Sequence, residues 1–103
     1  MRPGRTSLMD SWRAVAPHAL VWRQWDDDVV LYNDATGSTH QLGPLGGEVM
    51  LCLLRHPAGI DVAALARDMN AIIEIPDELQ LAAEIQRALD DLVELQLAER
   101  FSA

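Results

Sequence analysis

Apolar and polar residues alternate with a period of two along residues 20–42, which is the spacing of strands in a sheet. This alternation predicts three strands joined by two short turns: strands over 20–25, 29–32 and 38–42, and turns over 26–28 and 33–37. Gly37 is expected at a left-handed position of the second turn, because glycine adopts positive φ at no steric cost. Such short connections join antiparallel neighbours, so the middle strand would pair on both sides and the third strand would keep one edge free.

From Pro44 onward the apolar residues recur at helical spacing. The pattern predicts three helices, over residues 44–55, 61–70 and 77 to about 96. Pro44 suits the first position of a helix, and Asp61 and Asp77 are expected to cap the second and third helices. The predicted fold is therefore α+β and winged-helix-like, with a three-stranded antiparallel β-sheet followed by three α-helices. We expect one domain over residues 18–101, preceded by a flexible tail over residues 1–17 in which Trp12 is the only large anchor.

Two surfaces carry more apolar residues than one core needs. The third helix has a core stripe of Leu81, Ile85, Leu89 and Leu92, extended on either side by Ala82, Ala88, Val93 and Leu95. These positions span an arc of about 160°, whereas a helix packed on one core needs little more than 100°. In the first strand, Trp22 and Trp25 fall on opposite faces, so both faces of the sheet would carry large apolar groups. We expect the tail, the loop over 71–76, a second copy or a ligand to cover these surfaces.

The charge balance disfavours anionic partners. The chain carries 16 acidic and 8 basic residues, with a net charge of −8, and all the basic residues are Arg. A DNA-binding winged-helix regulator is a disfavoured alternative, because the third helix carries five acidic residues against Arg87 alone and phosphate contacts need several cations. The longest apolar run in the helical half, residues 49–54, is far shorter than the roughly 20 residues of a membrane span. We expect a cytoplasmic protein that binds neither nucleic acid nor membranes.

Residues for catalysis or metal binding do not cluster along the sequence. His18, His40 and His56 stand far apart, and Cys52 is a single cysteine in an apolar stretch, so neither a metal site nor a cofactor is expected. No nucleophile motif of the Gly-x-Ser-x-Gly type occurs. His40 on the third strand is expected to be a hydrogen-bonded structural residue more than a ligand contact. These observations favour a protein that is not an enzyme.

The segments "VWRQWDDDVVLYNDATGSTHQLGPLGGEVMLCLL", "GIDVAALARDM" and "IQRALDDLVELQLAE" resemble the PqqD-like peptide chaperones, in particular the variant found with HPr-kinase-related proteins. The resemblance covers roughly residues 12–100. Gln96 stands where the family pattern has Gly at the end of the last helix, which puts only that cap in doubt. The family consists of recognition elements for ribosomally made precursor peptides. The resemblance implies that the leader of such a peptide is held as an added strand between the third strand and the third helix, and that its core is presented to a modifying enzyme.

This implication coincides with the free edge of the third strand and the broad apolar face of the third helix. The expected peptide-binding residues are Ser38, Thr39, His40, Gln41, Leu42, Ile85, Leu89, Leu92 and Val93. The expected partners are a precursor leader peptide with apolar anchors and some basic character, and a peptide-modifying enzyme, for which the resemblance suggests an HPr-kinase-related protein. The alternative is a structural or regulatory subunit that forms a homodimer or a fixed protein complex through the same edge.

Overall fold

The computed structural model describes residues 10–70 and 77–102, which form five strands and three α-helices. In chain order these are β1 (Asp10–Ala14), β2 (Leu20–Trp25), β3 (Asp28–Asn33), β4 (Thr39–Leu42), α1 (Pro44–Arg55), α2 (Val62–Asn70), α3 (Glu78–Glu94) and β5 (Ala98–Ser102), with a short 3₁₀ turn at Pro17–Ala19. Strands β2, β3 and β4 form one antiparallel sheet in that order. The predicted α+β class, with a three-stranded antiparallel sheet followed by three helices, is confirmed.

The turns and caps follow the local sequence signals. Gly37 has φ +78°, the left-handed conformation predicted for the β3–β4 turn. The Asp61 side chain accepts a hydrogen bond from the Ala64 amide at 2.7 Å, and Asp77 accepts one from the Leu79 amide at 2.9 Å. Each cap satisfies amides that the first turn of a helix leaves without a partner, which fixes where α2 and α3 begin.

Helix α3 ends in a left-handed cap although no glycine is present. Gln96 adopts φ +64°, its amide donates to the Val93 carbonyl at 3.0 Å, and the Leu97 amide donates to the Leu92 carbonyl at 2.9 Å. This hydrogen-bond pair is the Schellman motif, and the buried side chains of Leu92 and Leu97 supply its usual apolar contact. The cap that the Gln substitution put in doubt is therefore formed.

The core lies between the three helices, the inner face of β3 and the two terminal strands. The predicted core stripe of α3 is confirmed, since all four of its residues are buried: Leu81, Ile85, Leu89 and Leu92. They pack with buried residues of the other elements, among them Trp12, Leu31, Met50, Leu53, Leu65 and Met69. The sheet contributes Val29 and Leu31 of β3 to the core, because alternate residues of that strand face inward, and Leu42 of β4.

Strands β1 and β5 form a second, two-stranded antiparallel sheet that the sequence did not predict. Trp12 is fully buried and exchanges backbone hydrogen bonds with Ile60, at 2.9 and 3.0 Å. Across the strands, Arg13 pairs with Glu99 at 2.6 Å and lies over the ring of Phe101. The expectation of a flexible tail over residues 1–17 is therefore wrong for residues 10–14, which belong to the folded body. Residues 1–9 lie outside the described residues.

The second face of the three-stranded sheet is not covered by the described chain. Val21, Trp25 and Tyr32 on the outer face are exposed, and Trp22, which pairs with Leu31 on the inner face, is exposed as well. Trp12 packs in the core beside Ile60, so the described part of the tail does not cover these exposed side chains. The loop over 71–76, the other expected cover, lies outside the described residues.

Candidate functional site

The edge of β4 that faces away from β3 has backbone groups directed outward. The Asn33 amide donates to the Ser38 carbonyl at 2.8 Å, and β3 and β4 then pair in register up to Val29 and Leu42. In an antiparallel ladder hydrogen-bonded and non-hydrogen-bonded pairs alternate, so His40 and Leu42 direct their N–H and C=O groups to β3. Thr39 and Gln41 consequently direct theirs away from it. No described strand pairs with β4 on that side.

A groove of about 530 Å³ runs between this end of β4 and helix α3. One wall consists of the end of β4 and the start of α1: Gln41, Leu42, Gly43, Leu45 and Gly46. The other wall belongs to α3: Glu84, Arg87, Ala88, Asp91, Leu92, Glu94 and Leu95. The residues of the helical wall recur every three or four positions, so they form a single stripe beside the buried core stripe.

The groove combines an apolar floor with an acidic rim. Leu42 and Leu92 are buried at its base, whereas Leu95 is 42% exposed. Three carboxylates and one guanidinium line the helical wall, and the guanidinium of Arg87 lies 3.5 Å from the carboxylate of Glu84. An extended segment placed here could bury apolar side chains against the floor while its backbone pairs with β4.

Six of the nine predicted site residues lie at the free edge, in the groove or on the inner face of the sheet. Thr39 and Gln41 lie on the outward edge, and Ser38 immediately precedes it. Leu42 and Leu92 line the groove. His40 lies opposite Leu31, on the inner face of the sheet, and is half-buried, so its side chain is directed toward the core and away from the free edge.

Three predicted contacts on α3 do not line this groove. Ile85 and Leu89 are fully buried in the core, so an added strand cannot touch them in this conformation. Val93 is exposed but lies on the opposite flank of α3, in a separate groove of about 460 Å³ beside Trp12 and Ala98. The sequence showed a broad apolar arc but not which part of it the body covers.

Apart from Leu92, the helix residues that line the groove were not chosen as site residues. Their signal is the spacing of Glu84, Ala88, Asp91 and Leu95, which places them on one stripe adjacent to the core stripe. This stripe mixes charged and apolar residues, so a search for apolar positions alone does not select it. Leu45 and Gly46 were missed because they belong to the first turn of α1, next to the end of the strand.

The described residues contain no group of three or more His, Cys, Asp or Glu that could hold a metal ion. Burial raises the pKa of the Cys52 thiol, partly offset by Arg55, whose guanidinium donates to the sulfur at 3.1 Å. Cys52 is therefore held as a protonated, inaccessible thiol. Among the helices that the structure describes, none is long and apolar enough to cross a membrane.

Two solved structures share this fold. One is TbiB1 in complex with the TbiA(beta) leader peptide, with a TM-score of 0.66, 21% identity and coverage of 84% of this chain and 94% of that one. The other is a lasso peptide synthetase B1 complexed with its leader peptide, with a TM-score of 0.64, 19% identity and coverage of 85% and 96%. No family model matches the chain, and no curated protein matches it. At these identities the likeness establishes a common fold, which spans nearly the whole of both solved proteins.

Proposed function

We propose that the chain is a non-catalytic peptide-binding chaperone. It captures the leader segment of a ribosomally made precursor peptide by β-strand addition to β4 and presents the rest of the precursor to a modifying enzyme. The observation that carries the proposal is the unpaired outward edge of Thr39 and Gln41 beside a groove with an apolar floor. Support comes from the fold, which the chain shares with two proteins solved with leader peptides.

The energetics require both the edge and the groove. Thr39 and Gln41 offer four backbone groups, and hydrogen bonds contribute roughly 0.5–1.5 kcal/mol each. The sum is comparable with or below the association cost of about 4–15 kcal/mol. Each Leu-sized ligand side chain buried on the groove floor would add about 1.5–3 kcal/mol. Two such anchors together with the edge bonds would give a usable affinity, whereas edge pairing alone would not.

The modifying enzyme is the second partner in this proposal. The comparisons give no support to the HPr-kinase-related variant, so the enzyme's class stays open. A leader held in the groove leaves β2 accessible, where Val21, Trp22 and Trp25 are exposed, and the neighbouring Tyr32 of β3 is exposed as well. We place the whole process in the cytoplasm, where ribosomes release precursor peptides.

The alternative is a structural subunit that forms a homodimer or a fixed protein complex. The exposed aromatic residues of β2 favour this alternative, because such surfaces commonly mark protein contacts. Sedimentation velocity over a range of concentrations separates the two functions. A monomer that persists on dilution supports the peptide chaperone, and a dimer that survives dilution supports the structural subunit.

A direct test is an NMR titration of the isotope-labelled chain with the leader segment of a candidate precursor peptide. The proposal expects the largest amide shift changes at residues 38–43 and along the Glu84–Leu95 stripe. Shift changes confined to β2, or to the groove beside Trp12, would overturn it.

A further inference from the structure

Building on the proposed function, we infer that the groove selects a leader segment that carries a basic side chain. Asp91 and Glu94, at the C-terminal end of α3, would bind a Lys or Arg of the added strand. An apolar residue of the same strand would lie against Ala88 and Leu95. The ligand class is therefore an extended peptide with one cationic and at least one apolar side chain directed into the groove.

These two carboxylates have no partner among the residues that the structure describes. Arg87 is the only cation on the helical wall, and it lies next to Glu84 at 3.5 Å. Within the described part of the chain, the side chains of Asp91 and Glu94 have neither a hydrogen bond nor an ion pair. The groove therefore keeps uncompensated negative charge next to an apolar floor.

The position of Asp91 and Glu94 on the helix also favours a bound cation. The C-terminal end of a helix carries a partial negative charge, so cations in the last turn stabilise it and anions destabilise it. The last turn of α3 has no basic residue, although Asp91 and Glu94 are both there. Residues that break such a stability rule are expected at functional positions. A cation from the ligand would offset the negative charge of the two carboxylates and their unfavourable interaction with the helix dipole.

The geometry of an added strand sets the spacing of its basic and apolar residues. Alternate side chains of a strand point to one face, so the residues of the added strand that enter the groove are separated by an even number of positions. The apolar floor and the two carboxylates border the same groove. The basic residue should therefore stand two or four positions from an apolar anchor.

The test is to select binding peptides from a randomised library on three proteins. These are the wild-type chain, the double variant Asp91→Asn/Glu94→Gln and the single variant Asp90→Asn. Asp90 is the matched control, because it immediately precedes Asp91 in α3 but lines the groove beside Trp12. Wild type and Asp90→Asn should enrich peptides with Lys or Arg at an even spacing from an apolar residue. The double variant should lose the basic preference and retain the apolar one.

Affinities for one selected basic peptide give the second readout. Asp91→Asn should weaken binding about two- to fivefold, the size expected for an exposed ion pair, and 0.5 M salt should remove the difference from wild type. The same variant should raise the melting temperature of the free protein, since it removes an anion from the helix end. A merely structural carboxylate would not combine weaker binding with higher stability.

The outcomes separate this inference from the function on which it rests. Selected peptides that protect the Thr39 and Gln41 amides but show no basic preference would overturn the inference and leave the chaperone function standing. Failure to enrich any peptide would overturn both. Equal losses of affinity in Asp90→Asn and Asp91→Asn would also contradict the inference, because the effect would then be the net charge of the chain.

Discussion

Gly47 of α1 lies directly against Val29 of β3, so close that a Cβ on Gly47 would come within 2.6 Å of Val29 Cγ2. Both residues are buried, and the helix rests on the sheet through its backbone at this point. The preceding residues, Leu45 and Gly46, form part of the groove wall. The contact therefore sets the position of one side of the groove relative to β4.

Substitution of Gly47 by Ala is expected to destabilise the protein by about 1–3 kcal/mol, because the added methyl group overpacks a buried contact. Gly46→Ala is the matched control, since its Cβ would meet only Leu42 Cβ at 3.9 Å. That variant should be neutral or gain less than about 1 kcal/mol, because Ala has the higher helix propensity. Urea denaturation measures both. Equal free energies of unfolding for the two variants would show that the Gly47–Val29 contact is not tight.

The cap of α3 predicts a stabilising substitution. Gln96→Gly should raise the free energy of unfolding by about 1 kcal/mol, since glycine adopts the observed positive φ without the steric cost that an L side chain carries. Gln86→Gly, in the middle of the same helix, should lower it by about as much. Thermal denaturation of the two variants tests whether their changes in stability have opposite signs. A loss of stability in Gln96→Gly would mean that the Gln side chain itself holds the cap.

Two tryptophans are expected to contribute very differently to stability. Trp12 of the terminal sheet is 1% exposed and its backbone is hydrogen-bonded to Ile60, whereas Trp25 is 66% exposed. Trp12→Ala should cost about 3–5 kcal/mol because a large buried side chain is lost, and Trp25→Ala should change stability by less than about 0.5 kcal/mol. Chemical denaturation measures both. Comparable effects would contradict the packing of β1 into the body.

The elements that sequence predicted best are those specified by neighbouring residues. Asp61, Asp77 and Gly37 mark helix starts and a turn through bonds within a few positions, so their signals are visible in the chain. Strands β1 and β5 were missed because each is five residues long and pairs with the opposite end of the chain. The buried positions of β1 are Asp10, Trp12 and Ala14, and only two of them are apolar, so the sequence shows no clear alternation of apolar and polar residues there.

The site was predictable only in part for a related reason. The free edge of β4 follows from strand order, which short turns specify. Which stripe of α3 borders that edge depends on how the helix is rotated against the core, and Ile85 and Leu89 face the core. An apolar pattern alone does not distinguish residues that the body covers from residues left to a ligand.

Two exposed residues near the end of α3 test the rotation of the helix. Leu95 is 42% exposed in the groove beside β4, and Val93 is 38% exposed on the opposite flank. Leu95→Ala should weaken binding of the leader segment by about fivefold or more, for a loss of roughly 1 kcal/mol of apolar contact. Val93→Ala should bind as wild type does. Calorimetric titration distinguishes them, and the reverse order would place the ligand beside Trp12.

The most direct measurement is amide hydrogen exchange of the full chain with and without the leader segment of its precursor. Because their amides face the unpaired edge, Thr39 and Gln41 should become protected when the peptide binds, whereas His40 and Leu42 should be protected in both states. The Asp34 amide donates to the Ala19 carbonyl, so the same alternation directs the Trp22 and Gln24 amides to the free edge of β2. New protection at Thr39 and Gln41 is the predicted result. New protection at Trp22 and Gln24, with Thr39 and Gln41 unchanged, would contradict strand addition to β4.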